Sequence, residues 1–377
     1  MTGLPDRPWV LVVGMHRSGT SAIAGALAEL GLQTVRPDDR MDWPQSNPEH
    51  WESLSLGLHN EGLLAEQGGS WDAPPEAGDG LAPEPGPSGP TSSAAVLAAA
   101  YPGDTPAVWK DPRLCLLLPH WREVIHAPLA VVLVWRSPWA VARSLHQRDG
   151  MSQLSGIALW ERYNRAALGG LDGVATFVID YEKVVESPQT SLGQLLAWLT
   201  SQPPLAGAAA EWDADRATAS IATGLRHQPG GRPPEDEVLL PGQQGLVDLL
   251  AGLEGGHDPL EVRLDFEESQ WAAEVIRVRR QVVGTEWVLG HTRERLRSAF
   301  DDLGEKQAKL EAAYRSIDAA NRKIESQTRH VADLTDALDR SNQMLEEVYT
   351  STSWKVTKPV RQSIAHLNDL RARGDRT

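Results

Sequence analysis

The sequence predicts an α/β fold, a parallel sheet flanked by helices, followed by a long C-terminal α-helical coiled coil. Two patterns carry that expectation. Over residues 9–200, short apolar runs alternate with segments of helical periodicity, which is how a parallel sheet with crossover helices is written. After Pro259 no proline occurs until Pro359, and an apolar residue recurs every seventh position. A glycine-rich loop between the first apolar run and the first helix adds a third sign. The 377 residues divide on this reading into a globular domain over 1–260, a coiled-coil helix over 261–350 and a basic tail over 351–377.

The elements follow in chain order. Trp9–Val13 is an apolar strand, Gly14 to Ser21 a glycine loop, and Ala22, Ile23, Ala26, Leu27 and Leu30 mark the buried face of a helix. Residues 72–107 are rich in Pro, Gly and Ala and read as an irregular insertion with one short helix over 92–100. A short strand follows over 107–109. Leu129–Trp135 is a continuous apolar run, the pattern of a strand buried on both faces. Ser137-Pro138 then starts a helix over 138–147, with Ser as cap and Pro in the first turn. A helix over 155–168, a strand over Thr176–Asp180 and a helix over 191–199 complete the alternation, and 200–260 reads as loops. From Leu296 the heptad column is Leu303, Leu310, Ile317, Ile324, Val331, Leu338 and Leu345. The companion positions Ala299, Lys306, Ala313, Ala320, Gln327, Leu334 and Ser341 are weaker. This pattern predicts a homodimer through a coiled coil, with Lys306 and Gln327 fixing register at a cost in stability. The alternative is an amphipathic helix folded back on the first domain. At 1.5 Å per residue, 296–345 would reach roughly 75 Å, more apolar stripe than a small domain covers.

Composition narrows the function. There are 36 Lys and Arg against 51 Asp and Glu, a net charge of −15. That balance excludes nucleic acid as the main partner, because such proteins carry a broad basic face. The single Cys115 excludes an intrachain disulfide and a multi-cysteine zinc site. No signal segment and no apolar run of membrane-spanning length is visible, which predicts a cytoplasmic protein.

The chemistry begins at Gly14-Met-His-Arg-Ser-Gly-Thr-Ser21. Backbone N–H groups of such a loop, with the helix N-terminus behind it, cradle an anion. The loop has the length of a Walker A motif, but Thr20 stands where the Lys that reaches the β- and γ-phosphates belongs. Arg17 supplies the positive charge instead. A second candidate lies 119 residues on, where Arg136 ends an apolar strand and Ser144 follows eight residues later.

Arg17-Ser18-Gly19-Thr20 after a strand, and an Arg at a strand end with a Ser eight residues on, make the chain over roughly 9–200 resemble the sulfotransferase family. The wording of the loop, with Trp109-Lys110-Asp111-Pro112-Arg113, is similar to the bacterial branch. The resemblance implies a P-loop NTPase-like fold and 3′-phosphoadenosine 5′-phosphosulfate as co-substrate. Arg17, Ser18, Gly19, Thr20 and Ser21 would then hold the 5′-phosphosulfate, and Arg136 and Ser144 the 3′-phosphate. Arg143 and Arg148 lie near the second motif, either touching that phosphate or exposed on a helix. Sulfuryl transfer needs a cation at the leaving oxygen and a base at the acceptor hydroxyl, but no metal. Lys110 and Arg113 are candidates for the cation, and Asp111 for a base or for the group that orients either cation. For the base the family points to Glu52, after the Asn47-Pro48 pair, with His50, Asp111 and His59 behind it. His16 reads as a packing or substrate-side residue.

The tail carries a second resemblance. Ser351-Thr-Ser-Trp354-Lys355-Val-Thr357-Lys-Pro359-Val-Arg361 is similar to a segment that closes many bacterial glycosyltransferases and other glycan-assembly proteins. It implies a saccharide or glycolipid hydroxyl as acceptor. From Ser351 onward there are six basic and two acidic residues, which suits a peripheral contact with a membrane surface. Two rival readings accompany the sulfotransferase. One is a P-loop kinase-like phosphotransferase, which requires the missing Lys. The other is a non-catalytic nucleotide-binding scaffold working through its coiled coil.

Overall fold

The computed structural model describes residues 4, 6–41, 51–76, 90–207, 215, 217–219, 239–363 and 365. They belong to two compact units, 1–287 and 288–377.

The first unit is built on a five-stranded sheet. Its strands are β1 (Trp9–Val13), β2 (Ala107–Lys110), β3 (Leu129–Trp135), β4 (Thr176–Asp180) and β5 (Gly255–His257), in the order β2-β1-β3-β4-β5. β1 pairs in parallel with β2 and β3, and β3 with β4. Successive residues of β1 feed two separate cores: Trp9, Leu11 and Val13 one, Val10 and Val12 the other. β3 splits the same way, which is why both strands read as unbroken apolar runs. On one face lie α1 (Thr20–Glu29), α7 (Tyr181–Glu186) and α8 (Pro188–Ser201). The other face is covered by α2 (Leu54–Glu66), α3 (Pro90–Ala100), α4 (Leu114–Val124), α5 (Pro138–Asp149), α6 (Gln153–Leu171) and α9 (Pro241–Gly252).

The sheet departs from the all-parallel expectation at one edge, where β5 runs antiparallel to β4. That strand and α9 both lie in the stretch read as loops. Gly255-Gly256-His257 has no apolar signature, and Gly256 serves because a Cβ there would lie 2.1 Å from the Trp198 ring. α4 is a further difference. No element was read over 114–124, and Pro119 lies inside this helix, whose other side chains are largely buried. The insertion over 72–107 contains the expected helix as α3, while 77–89 lies outside the described residues.

The long helix α10 (Gln270–Thr350) starts on the first unit. Ser269 Oγ accepts from Ala272 N (3.2 Å), Ala272 and Ile276 are buried in the core, and Arg279 is paired with Asp72 (2.5 Å). Buried Glu161 of α6 accepts from Ser269 N and Oγ (both 2.7 Å) and from Gln243 Nε2 (3.1 Å), tying α9 and the start of α10 to α6.

In the second unit the described side chains of the rest of α10 are exposed, including the whole heptad column from Leu296 to Leu345. It ends in a corner made by α11 (Thr352–Val356). Ser351 Oγ accepts from Trp354 N (3.2 Å), Tyr349 meets the Trp354 ring edge-on, and the Arg361 guanidinium lies 3.5 Å over that ring. Arg361 also donates to Trp354 O (2.7 Å) and Thr357 Oγ1 (2.5 Å). The tail motif is therefore a set of residues that bind one another. Its continuation over 366–377 lies outside the described residues. Among the described residues no helix is long and apolar enough to cross a membrane.

Candidate active site

The order β2-β1-β3 places the chain's direction change between β1 and β3, and ligands of open α/β sheets bind outside the carboxyl ends of strands at such a point. The glycine loop leaves β1 here. Ser18 N donates to Met15 O (3.1 Å), closing a turn in which Arg17 has a left-handed backbone, φ 69°. Gly19 follows at φ 92°, with the Tyr181 ring pressed so closely that a Cβ would sit 2.0 Å from it. Gly14 faces the neighbouring strand, where a Cβ would lie 2.3 Å from Val134 O. These two glycines let the loop, β3 and the start of α7 close on one another. α1 then begins at Thr20 without a side-chain cap. Its first turn offers the partial positive charge of a helix N-terminus to an anion. Ser18 Oγ is buried with no hydrogen-bond partner among the described residues, and Thr20 is buried while Ser21 is half-buried.

The second predicted motif meets the first. Arg17 Nε donates to Ser144 Oγ on α5 (2.8 Å), joining residues 127 positions apart. Arg136, beyond the end of β3, stacks 5.3 Å from the Tyr181 centroid and pairs with Glu182 (3.4 Å). Its carbonyl accepts from Trp160 Nε1 (2.9 Å), which fixes the backbone. Arg148 from the end of α5 completes a cationic group. Burial, and then repulsion from Arg148 and Arg136, lowers the Arg17 pKa. The Tyr181 hydroxyl is pushed up by burial, against the pull of Arg136 and Arg17. Arg136 and Arg148 each hold a carboxylate, Glu182 and Asp149 (2.7 Å), yet both still act on Arg17, whose charge a bound anion would favour.

A second cluster lies at the end of β2. Lys110 Nζ donates to Glu52, and both side chains are buried. Glu52 is held by its backbone: its carbonyl accepts from Met41 N (2.9 Å), and the next residue, Ser53, caps α2 by accepting from Leu56 N (3.0 Å). Its neighbours on the other side, 42–50, lie outside the described residues, so His50 and the Asn47-Pro48 pair are not placed. Asp111 is saturated with donors. It accepts from Asn60 Nδ2 (2.9 Å), Arg113 N (2.9 Å) and the Arg113 guanidinium (3.0 Å). Arg113 reaches on to Glu61 (2.5 Å), and its pKa is raised by Asp111 and Glu61 despite burial. Of the two roles read for Asp111, this geometry is that of the group that orients Arg113.

His16 sits between the two clusters. Its imidazole lies against Trp71 at a tilt of 55° (4.6 Å) and meets Tyr163 edge-on (5.9 Å), while Nε2 is buried without a partner among the described residues. Burial first, then Arg113, Arg148, Lys110 and Arg17, holds it neutral, well below the usual histidine range. Arg113 and Lys110 belong to one cluster and Arg148 and Arg17 to the other, so His16 lies within the field of both. His59 lies apart, in a chain with Ser93 (2.7 Å) and His120 (2.8 Å) that links α2, α3 and α4. Arg143 is half-buried on α5. Sequence reasoning missed Tyr181, Glu61, Trp71 and Tyr163. Only Tyr181 had a signal, its place directly after the apolar strand β4.

An uncapped helix behind a glycine loop, with guanidiniums gathered at the carboxyl edge of parallel strands, is the architecture of an α/β anion-binding domain. No family model matches the chain, and no curated protein matches it. Among solved structures it is similar to the sulfotransferase STF9 from Mycobacterium avium, at 15% identity and TM-score 0.41, over 67% of this chain and 79% of that one. It is also similar to the sulfotransferase domain of the curacin biosynthetic pathway, at 14% identity and TM-score 0.34, over 66% of this chain and 99% of that one. A third similar structure is the sulfotransferase domain of a Synechococcus olefin synthase, at 15% identity and TM-score 0.32, over 74% of this chain and 96% of that one.

Proposed function

We propose that the protein is a sulfotransferase that moves a sulfuryl group from 3′-phosphoadenosine 5′-phosphosulfate to an acceptor hydroxyl. The observation that carries this reading is the convergence of two motifs 127 residues apart, Arg17 donating to Ser144 with Arg136 and Arg148 around them. A nucleotide with phosphate at both ends of its ribose needs two anion sites side by side. The unpartnered Ser18 Oγ in the loop is a donor without a task until such a ligand is bound. Thr20 in place of the Walker lysine disfavours a triphosphate.

In this reading Arg17 and the loop amides hold the 5′-phosphosulfate, and Arg136 holds the 3′-phosphate with Ser144. Glu52 takes the proton of the acceptor hydroxyl. The hydroxyl oxygen forms a bond to sulfur as the bond from sulfur to the bridging phosphate oxygen breaks. Lys110 neutralises the charge that collects on that oxygen; its ammonium has three donors, of which Glu52 uses one. Asp111 orients Arg113, which adds positive charge beside the reacting groups. No step requires a metal.

The acceptor is read as a saccharide or glycolipid hydroxyl, from the tail's likeness to those of glycan-assembly proteins. Lys355, Lys358 and Arg361 give the tail its charge toward a membrane surface. The C-terminal helix is read as a dimer through its coiled coil. Calorimetry with 3′-phosphoadenosine 5′-phosphate on the wild type, Arg17→Ala and Arg136→Ala tests the site. Equally weak binding in all three sinks the assignment. Transfer of labelled sulfate into glycan and glycolipid fractions tests the acceptor.

A further inference from the structure

We infer that Trp71 is a positioning residue of the anion site, acting through Arg148, and that Arg279 at the root of α10 holds it there. The inference rests on the nucleotide-binding reading above and adds a third element to its two motifs. Trp71 touches both of them. Its ring lies 4.6 Å from the imidazole of His16, the loop residue before Arg17. The guanidinium of Arg148, from the last turn of α5, lies 5.4 Å from the centroid of the same ring.

Arg148 needs such a hold. Its side chain is partly exposed (26%), and an arginine in that setting has many rotamers open to it. It also repels Arg17, which favours conformers that swing it away into water. Two contacts oppose that swing. Asp149 pairs with it at 2.7 Å, and the Trp71 ring offers the negative face that a guanidinium seeks. Asp149 belongs to the same turn as Arg148. Trp71 comes from another part of the chain, so it is the contact that ties Arg148 to the glycine loop.

Trp71 is itself fixed from three helices. Its N–H donates to Glu61 Oε2 of α2 (3.4 Å), and its carbonyl accepts from the Tyr163 hydroxyl of α6 (2.6 Å). Ser70 N donates to Ala73 O (3.0 Å) and Ala73 N to Ser70 O (3.3 Å), which closes a turn around it. The third hold is on the next residue, across 207 positions of chain. Arg279 Nε donates to the Asp72 carbonyl (2.6 Å), and Arg279 Nη2 pairs with the Asp72 carboxylate (2.5 Å). One planar guanidinium thus grips backbone and side chain together. Beyond it, Arg280 pairs with Glu76 (2.5 Å) and Arg162 donates to Pro75 O.

The test is calorimetry with 3′-phosphoadenosine 5′-phosphate on the full chain, with a thermal melt of each variant. Trp71→Leu should weaken binding about three- to fivefold, the worth of one cation–ring contact, and Trp71→Phe, which keeps a ring, should stay within about twofold of the wild type. In an Arg148→Ala background Trp71→Leu should cost nothing further, because the ring then has no guanidinium to place. Losses that multiply would overturn the positioning role. Arg279→Gln should weaken binding about threefold alone and leave Trp71→Leu unchanged; an equal loss in both would overturn the part given to Arg279. Should Trp71→Leu fail to fold, Arg279→Gln with Arg148→Ala forms the same cycle on two partly exposed side chains, and independent losses there overturn the inference. Arg17→Ala separates the two levels. Its loss of binding without any in Trp71→Leu would overturn the positioning role alone, whereas unchanged binding by Arg17→Ala would remove the site reading and this role with it.

Discussion

Arg17→Gly separates the backbone of the glycine loop from its charge. Arg17 has φ 69°, a conformation that costs a residue with a Cβ about 1–2 kcal/mol. Glycine removes that cost and returns about 0.5–1 kcal/mol as extra freedom of the unfolded chain. The substitution also deletes the hydrogen bond to Ser144, about 1 kcal/mol, and relieves repulsion from Arg148 and Arg136. The contributions nearly cancel, so the melting temperature should stay within a few degrees of the wild type. Ligand binding should not survive so well. A guanidinium–phosphate hydrogen bond is worth about 1.5–3 kcal/mol, which is roughly a 10- to 150-fold rise in the dissociation constant of 3′-phosphoadenosine 5′-phosphate. Calorimetry and thermal melts on one preparation measure both quantities, with Arg17→Lys as the variant that keeps a charge in the strained backbone. Binding within threefold of the wild type by Arg17→Gly, at unchanged stability, would refute the role given to this side chain.

Glu52→Gln should lower sulfuryl transfer at least about 100-fold, the usual contribution of a general base, and leave nucleotide binding within twofold; a variant that turns over normally would move the base elsewhere. Glu52→Ala instead strands the buried Lys110 ammonium and should cost about 3–5 kcal/mol of stability by chemical denaturation. Asp180 caps α7 through Glu182 N, and burial pushes its carboxyl up to about 6 from 3.8. The folded state thus holds a proton that the unfolded state releases, and stability falls as pH rises between those values. Asp180→Asn keeps the cap and should stabilise at pH 7 by on the order of 1 kcal/mol after solvent screening; no gain would count against the buried carboxyl. His120 behaves with the opposite sign. Burial, and then His59, lowers it from 6.5 to about 4, so its contribution is complete above 6.5 and is lost as pH falls toward 4. The loss should be on the order of 1–2 kcal/mol once screening is allowed for, and His120→Gln should flatten that limb of the stability–pH curve.

The strands facing both cores announced themselves, because β1 and β3 are unbroken apolar runs and β4 carries Phe177-Val178-Ile179, a pattern that needs no partner to be recognised. The glycine loop and the Arg136–Ser144 spacing were legible for a related reason: loop, strand end and spacing are local in sequence. What joins them was not. That Arg17 reaches Ser144, or that Lys110 is paired with Glu52, depends on strand order, which one sequence does not print. β5 was hidden because a glycine edge strand is chosen for its fit beside Trp198 rather than for its own burial. α4 was hidden because its helix runs through Pro119, against local preference, with Leu114, Leu117, Leu118 and Trp121 buried around it. His16 was read as a packing or substrate-side residue, while the cations that act on it come from four separate places in the chain.

The missing side chain at Gly14 has a mechanical meaning. β1 and β3 are hydrogen-bonded neighbours, Val13 beside Leu133, so the loop and Arg136 stand on adjacent strands about 4.8 Å apart. With Gly14 against Val134 O there is no slack between them. On the proposed reading the pair acts as a caliper whose jaws are Arg17, held by Ser144 of α5, and Arg136. An anion would draw Arg17 away only by offering its guanidinium a better acceptor than the Ser144 hydroxyl, which is then freed to donate. Donors are then sorted by the distance between their charges rather than by how many they carry, and Gly14→Ala would spoil the gauge without touching either jaw.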